Sequence, residues 1–250
     1  MDEFEPKPFA ESLASVTRPG TVTAFDLGRV SFAPMAAAQA AYLALRREAP
    51  QRAHDVVLFL EHEPVYTVSR RTNAQHLLWT PEQRKQRNVT VAEVDRGGDI
   101  TFHGPGQIVA YPLLDLEPLR LGSSAYMQGL ERLVVETLAT LQLDANVQPG
   151  MPGVWVYDPA HATEAKICAI GTRVSRGLTK HGLALNHTVD LDYFTGIVPC
   201  GLSRPVTSLA ALQGEATVSR RALLERLAAH FARTFKLSLQ WSPATPLGLS

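Results

Sequence analysis

Two cysteines occur in the chain, and their settings differ. Cys168 lies in Lys166-Ile167-Cys168-Ala169-Ile170, an apparent strand, where a cysteine reads as a small buried hydrophobe. Cys200 lies in Ile197-Val198-Pro199-Cys200-Gly201-Leu202, between a proline and a glycine, a setting that turns the chain and presents the side chain. A thiol attacks as its thiolate. At an unperturbed pKa of about 8.5 only a small fraction is ionised near neutrality, so a cation or a base must stand nearby. Lys166, which interrupts an otherwise apolar strand, is a candidate. A solvated charge at a strand end is the other reading of it, and spacing alone does not pair it with Cys200.

The second stretch with chemical content is Arg96-Gly97-Gly98-Asp99-Ile100-Thr101-Phe102-His103-Gly104-Pro105-Gly106-Gln107. It contains neither GxxxxGK[ST] nor a GxGxxG that opens a helix; it runs from strand to strand. Glycines in such a place make a tight hairpin, or they let the backbone approach a ligand and expose its N–H groups. Arg96, Thr101, His103 and Gln107 within the same stretch favour a loop that wraps a ligand's polar atoms. Metal signals are weak. His62-Glu63 does not extend to HExxH, the cysteines form no CxxC, and His181 and His187, which share one strand face, read as structural. The serine-hydrolase elbow GxSxG is absent.

These residues need elements to hold them. A helix fits Pro34 to Ala49, with Met35, Ala38, Tyr42 and Leu45 on one stripe and Pro50 as its stop. Val56 to Leu60 is a continuous apolar run, the pattern of a central strand buried on both faces. Val65 to Val68 and Val89 to Val94 read as strands, with a basic, loop-like stretch over residues 69 to 88 between them. Strands follow at Ile108 to Leu114, Gly153 to Tyr157, Lys166 to Val174 and Leu178 to Val189. A long helix from Ser123 or Ser124 to Leu141 shows clear 3.6-residue spacing, and a last helix spans Ser219 to Phe235. Strands mostly follow strands, which predicts an α+β fold with a mixed, largely antiparallel sheet flanked by helices.

Composition sets the outer limits. The chain has 250 residues, 45% hydrophobic and 19% charged, with 24 basic residues against 24 acidic ones. That is enough apolar material for a sizeable core, and it excludes general disorder. The basic excess of a protein that coats nucleic acid is missing. No apolar run is long enough to span a membrane, and the acidic N-terminus does not read as a signal peptide. Two cysteines are too few for a disulfide scaffold, so a cytoplasmic protein with free thiols is expected. Residues 1–20 read as a flexible N-terminal arm and 21–250 as a single domain, since no linker breaks them.

Several blocks together carry a resemblance. Arg96-Gly97-Gly98, then Thr101 to Gln107, Tyr111-Pro112 and Asp115-Leu116 resemble the signature of the octanoyltransferases of lipoate biosynthesis. Three more blocks match in order: Lys166-Ile167 with Ala169-Ile170-Gly171, then His181-Gly182-Leu183-Ala184-Leu185-Asn186, then Ile197 to Gly201. The match runs from about Ala24 to Leu209. Phe102 stands where the family commonly has tyrosine, and His187 where it often has an apolar or small residue, so His187 takes no role from it.

The resemblance implies a fold like that of the biotin and lipoate protein ligases. It implies one catalytic acyltransferase domain that moves an octanoyl group from acyl carrier protein to a lysine of a lipoyl domain, the first step of endogenous protein lipoylation. The acceptors implied are the lipoyl domains of 2-oxoacid dehydrogenase E2 subunits and the glycine cleavage H protein. It maps a Cys/Lys pair onto Cys200 and Lys166, with Cys200 the nucleophile and a thioester intermediate. The octanoyl slot would be walled by Arg96, Gly97, Gly98, Asp99, Ile100, Thr101, Phe102 and His103, by Ala169, Ile170 and Gly171, and by Gly182, Leu183 and Ala184. Oxyanion donors are expected near Cys200 or among the N–H groups of Gly182 to Ala184. Neither cofactor nor metal is expected, because a thioester already carries the driving force. An ATP-dependent lipoate or biotin ligase would share the fold without needing the cysteine. A ligand-binding module without chemistry would keep the pocket, and a cysteine peptidase would need a Cys/His/Asn context that does not appear. Arg70, Arg71, Arg84 and Arg87 fit either an acidic carrier protein or an ordinary solvated surface.

Overall fold

A computed structural model describes residues 5–70, 72–198 and 204–244. In chain order its elements begin with α1 (Pro6–Ser15), β1 (Val22–Val30), α2 (Phe32–Glu48), β2 (Val56–His62) and β3 (Val65–Ser69). Next come α3 (Pro81–Gln86), β4 (Thr90–Val94), β5 (Thr101–His103), β6 (Gln107–Leu113) and α4 (Ser123–Ala139). Then follow β7 (Ala145–Gln148), β8 (Met151–Asp158), β9 (Thr163–Ser175), β10 (Leu178–Asn186), α5 (Leu209–Gln213), α6 (Arg220–Phe235) and β11 (Leu239–Trp241).

Eight strands form one sheet in the order β11-β1-β2-β6-β10-β9-β8-β7. The pairs β11/β1 and β1/β2 are parallel and the rest antiparallel. The sheet is therefore mixed and largely antiparallel, as the succession of strands predicts. Its central strands alternate with period two between two cores. Val57, Phe59, Ile108, Ala110, Leu183 and Leu185 face a core built with α4 and α6. Val56, Leu58, Leu60, Val109, Tyr111 and Ala184 face the other, built with α1 and α2. A second sheet, β4-β3-β5, is small and carries β5, which lies within the glycine-rich stretch.

The N-terminal arm is a correction. Residues 6–15 are helical, and Phe9, Ala10, Leu13 and Ala14 are buried against α2. Phe9 and Leu13 stand four residues apart, so one helical face carries both; the polar composition around them hides this stripe. Residues 69–88, expected as loop, contain the short α3. Thr80 and Gln83 form a reciprocal capping box at its start, with Pro81 behind the cap. The edge strands β7 and β11, and β1 beside β11, are further additions to the predicted elements. Among the described residues no helix is long and apolar enough to cross a membrane.

One ionic joint fixes the site's turn to the frame. Arg220, the first residue of α6, holds Asp26 through two bonds of 2.6 and 2.8 Å and Glu61 through one of 2.9 Å. Glu61 in turn accepts the Gly106 N–H at 2.9 Å.

If α1 is a docked helix, truncating its buried face must weaken the whole fold. Leu13→Ala is expected to cost about 2–5 kcal/mol, read from urea unfolding. A loss below about 0.5 kcal/mol, the size of an ordinary surface change, would contradict the docking.

Candidate active site

The site is built on a face of the sheet that lacks side-chain bulk. In the β9/β10 ladder, Ala169 pairs with Ala184 and Gly171 with Gly182, so two successive cross-strand pairs leave a shallow trough. A Cβ on Gly182 would lie 2.1 Å from the Ala110 carbonyl oxygen, and one on Gly171 would lie 2.9 Å from Cδ of Arg96. Neither position accepts a larger residue without backbone or Arg96 movement.

The glycine-rich stretch forms the roof. Arg96 crosses the trough, donating from Nη2 to Thr67 O (3.1 Å) and Thr67 Oγ1 (2.8 Å) and from Nη1 to Gly97 O (2.9 Å). Gly97 N–H bonds to Thr172 O at 3.2 Å, tying roof to floor. Between them lies a cavity of about 450 Å³. Thirteen of the sequence-predicted residues line it: Arg96, Gly97, Gly98, Asp99, Thr101, His103, Lys166, Ala169, Ile170, Gly171, Gly182, Leu183 and Ala184. Ile100 and Phe102 do not. They alternate with Thr101 and His103 along the strand and point the other way, into an aromatic cluster where Phe102 stacks on Tyr193 at 4.7 Å. The lining also includes Phe32, Val94, Tyr111, Met127, Gly150, Met151, Pro152 and His181, which sequence reasoning did not assign to it. Met127 lies on the apolar stripe of α4 and Tyr111 in an apolar strand, and no periodicity separates a core residue from a cavity wall.

Lys166 is buried and lines the cavity. Its Nζ donates to Pro152 O at 3.0 Å and lies 4.8 Å from the centre of the Trp155 ring. A register shift between Val154 and Trp155 sets β8 against β9 here, and Gly153, with φ +113°, packs against the lysine stem. The Lys166 backbone is bonded to the chain beyond the cysteine segment: its N–H donates to Pro205 O (2.9 Å), and its carbonyl accepts from Thr207 N–H (3.0 Å). On the other side of that segment Val198 N–H donates to His76 O at 2.8 Å, and His76 Nδ1 lies 2.5 Å from Asp99 Oδ2 on the cavity wall. Cys200 itself lies outside the described residues. Cys168 faces the α4/α6 core, and burial pushes its thiol up to about 12, so it is not a thiolate at working pH.

Leu183 and Ala184 are in register with β6 on one side and β9 on the other. N–H groups of a strand flanked on both sides are committed to the ladders, so these are unsuited to hold an oxyanion. His187 is a joint: its Nε2 donates to Val218 O at 2.7 Å, and its N–H bonds to Gly106 O at 3.1 Å. Gln107 donates to Asn186 Oδ1 (2.9 Å), and Asn186 donates to Thr207 O (2.9 Å), linking the HGPGQ turn to the segment bonded to Lys166.

Three buried histidines stand here: His103 and His181 line the cavity, and His62 packs against His103. His62 donates from Nδ1 to Val30 O (2.9 Å), which leaves Nε2 to accept from the Tyr111 hydroxyl (2.8 Å). His103 donates to Gln107 Oε1 (2.7 Å) and stacks parallel to Phe32. His181 donates to Asp95 at 2.8 Å. Burial lowers their pKa values to about 4, about 3 and about 4, so all are neutral imidazoles near neutral pH.

The chain matches the family model of the lipoyl protein ligase A/B catalytic domain over residues 32–232, and it belongs to that family. Within it, the chain is similar to curated octanoyltransferases. It is 40% identical over 214 residues to that of Solibacter usitatus, covering 86% of this chain and 93% of that protein. It is 42% identical over 223 residues to that of a Roseiflexus species, covering 87% and 88%. In fold it resembles a bipartite lipoate protein ligase from Thermoplasma acidophilum (TM-score 0.66, 16% identity, 91% and 88% covered). It also resembles lipoate-protein ligase A bound with ATP (TM-score 0.67, 15% identity, 90% and 89% covered).

The histidines fix a pH dependence of stability. An unfolded histidine titrates near 6.5. Because the folded values lie lower, the unfolded chain takes up protons first as pH falls. Stability is therefore fully present above about pH 6.5 and is lost as pH falls toward about 4. Each such group adds a slope of up to about 1.4 kcal/mol per pH unit in that window. Urea unfolding of His62→Gln between pH 7 and pH 4.5 should show a shallower decline than the parent. Equal slopes would mean that His62 is not held neutral.

Proposed function

We propose that this chain transfers octanoyl groups from octanoyl-acyl carrier protein to lysine residues of lipoyl domains, through an octanoyl thioester on Cys200 assisted by Lys166. It acts as one catalytic unit in the cytosol, where thiols stay reduced. The observation that carries the reading is that both described flanks of the cysteine segment rest on the cavity. Pro205 and Thr207 bond to the Lys166 backbone, and Val198 bonds to His76, which holds Asp99 on the opposite wall. The mostly apolar trough between them suits a medium-length acyl chain, and the sequence relatives at about 40% identity are octanoyltransferases.

The chemistry balances in two steps. Cys200 thiolate attacks the carbonyl carbon of the donor thioester. The carrier's pantetheine sulfur leaves and takes a proton from the Lys166 ammonium, which becomes a neutral amine. The acceptor's neutral lysine amine then attacks the acyl-Cys200, Cys200 leaves as thiolate, and the amine's proton goes to Lys166. Lys166 thus begins and ends each cycle as an ammonium beside a thiolate. With Leu183 and Ala184 committed to the sheet, backbone N–H groups of the cysteine's own segment remain as donors to the tetrahedral oxyanion. Arg96, Gly97, Gly98, Asp99, Thr101, His103, Ala169 to Gly171 and Gly182 to Ala184 enclose the acyl chain; Ile100 and Phe102 support the roof from behind.

An adenylating ligase shares this fold, so cofactor use separates the two. Octanoyl-carrier protein alone should modify an apo lipoyl domain without ATP and in the presence of chelator, and free octanoate with ATP should not. Modification that depends on ATP and free octanoate would move the chain to the ligase side.

The residue roles have their own test. After mixing with octanoyl-carrier protein, intact-protein mass should rise by one octanoyl group in the parent and in Cys168→Ser. Cys200→Ala should gain none. Lys166→Ala should slow acylation by about a hundredfold or more, the usual scale of general acid–base assistance. Lys166→Arg should recover charge but little turnover, because arginine does not release a proton. Full turnover by Lys166→Arg would leave Lys166 an electrostatic role only.

A further inference from the structure

The segment 70–88 carries five basic residues, Arg70, Arg71, Arg84, Lys85 and Arg87, against one acid, Glu82, in a chain of zero net charge. That concentration is unused by the site described so far. Arg87 is spent within the molecule: it pairs with Asp192 and lies 4.7 Å over the Trp79 ring. Arg70, Arg84 and Lys85 form none of the ion pairs found among the described residues, and Arg70 and Lys85 are exposed. Leu78, 52% exposed, is one of the few large apolar side chains on the surface.

Where this patch sits gives it meaning. His76 bonds through its ring to Asp99 on the cavity wall and through its carbonyl to Val198. Leu77 pairs with Ile197, and the N–H groups of Leu78 and Trp79 both bond to Gly196 O, at 2.8 and 3.2 Å. Residues 76–79 thus run beside residues 196–198, which lead to the cysteine segment, and Thr80 then caps α3, which carries Arg84 and Lys85. An exposed apolar side chain shortly before two cations of α3, on a segment bonded to Gly196 and, through His76, to Asp99 of the cavity wall, fits an acidic protein that delivers a tethered substrate.

We propose that Leu78, Arg84 and Lys85, with Arg70 at the margin, dock the acidic carrier protein of the acyl donor, and that they serve the donor half-reaction and not the acceptor. This rests on the reading of the chain as an octanoyltransferase. The charge is placed where it steers an acidic partner's arm toward the cavity, and Leu78 supplies the apolar centre of the contact.

The test compares two donors. For Arg84→Glu/Lys85→Glu, the KM for octanoyl-carrier protein should rise about tenfold or more, and the dependence on salt should weaken. Acylation of Cys200 by octanoyl-pantetheine, which has no protein to dock, should match the parent. Leu78→Ser and the neutral pair Arg84→Gln/Lys85→Gln should show the same split at smaller size, and Arg132→Glu on α4 should change nothing. Titration of holo-carrier protein into each variant reads the docking without any chemistry, so a parent that binds carrier but forms no acyl-enzyme faults the octanoyltransferase reading and not the surface. Unchanged carrier affinity and KM in both pairs of variants would overturn the proposal. So would a defect confined to lipoyl-domain modification from preformed acyl-enzyme, which would assign the patch to the acceptor, or an equal loss with both donors, which would make these residues structural.

Discussion

Where β9 and β10 run together, they oppose alanine with alanine and glycine with glycine on one face, and the volume those four residues leave empty is the condition for everything above it. The glycine of β10 is dictated from below by the Ala110 carbonyl, and the glycine of β9 from above by the Arg96 stem. Floor and roof therefore specify each other. The strands cannot carry bulk there, and the arginine that crosses the gap is held by Thr67 in the small sheet. The start of the loop is thereby pinned twice, by Arg96 to Thr67 of β3 and by Gly97 to Thr172 of β9.

The same economy shows at Lys166. Burying a long amine is unfavourable unless its donors find acceptors. The Pro152 carbonyl and the Trp155 ring face it, and the register shift between β8 and β9 is what brings both to the lysine. The lysine's own main chain is then used a second time, as the strand on which Pro205 to Thr207 lies. Side chain and backbone of one residue thus tie a cation to the segment that follows the cysteine. Asn186 and Gln107 repeat the tie from the other strand, so the HGPGQ turn and the Lys166 strand move as one body.

Much of this was legible in the residues. The apolar run at Val56 to Leu60 and the 3.6-residue stripe from Tyr126 to Leu138 each have one physical solution, and the structure adopts it. The glycine-rich stretch was legible as more than a plain hairpin, and it roofs the cavity, but Arg96, His103 and Gln107 bond to protein groups around a mostly apolar space. What was not legible depended on tertiary choice. α1 carries only two large apolar residues on its buried face, too few to stand out in a polar segment. α3 buries nothing and is written only in its cap, Thr80 with Gln83. Phe102, in a three-residue strand, and Ile100, just before it, lie in the right motif but pack into the aromatic cluster away from the cavity. Phe32 reaches the cavity from the first turn of a helix whose large apolar residues Met35, Tyr42 and Leu43 go to the core.

The empty floor also limits how this protein can change. A pocket is usually enlarged by shortening the side chains beneath the ligand, but glycine has nothing to shorten and alanine only a methyl group. Descendants that take a longer or bulkier acyl chain must therefore find room at side chains that can be shortened, such as Phe32, Met127, Ile170 or Leu183, while the Ala169/Ala184 and Gly171/Gly182 pairs stay as they are. Selectivity drift in this architecture leaves those four positions aside.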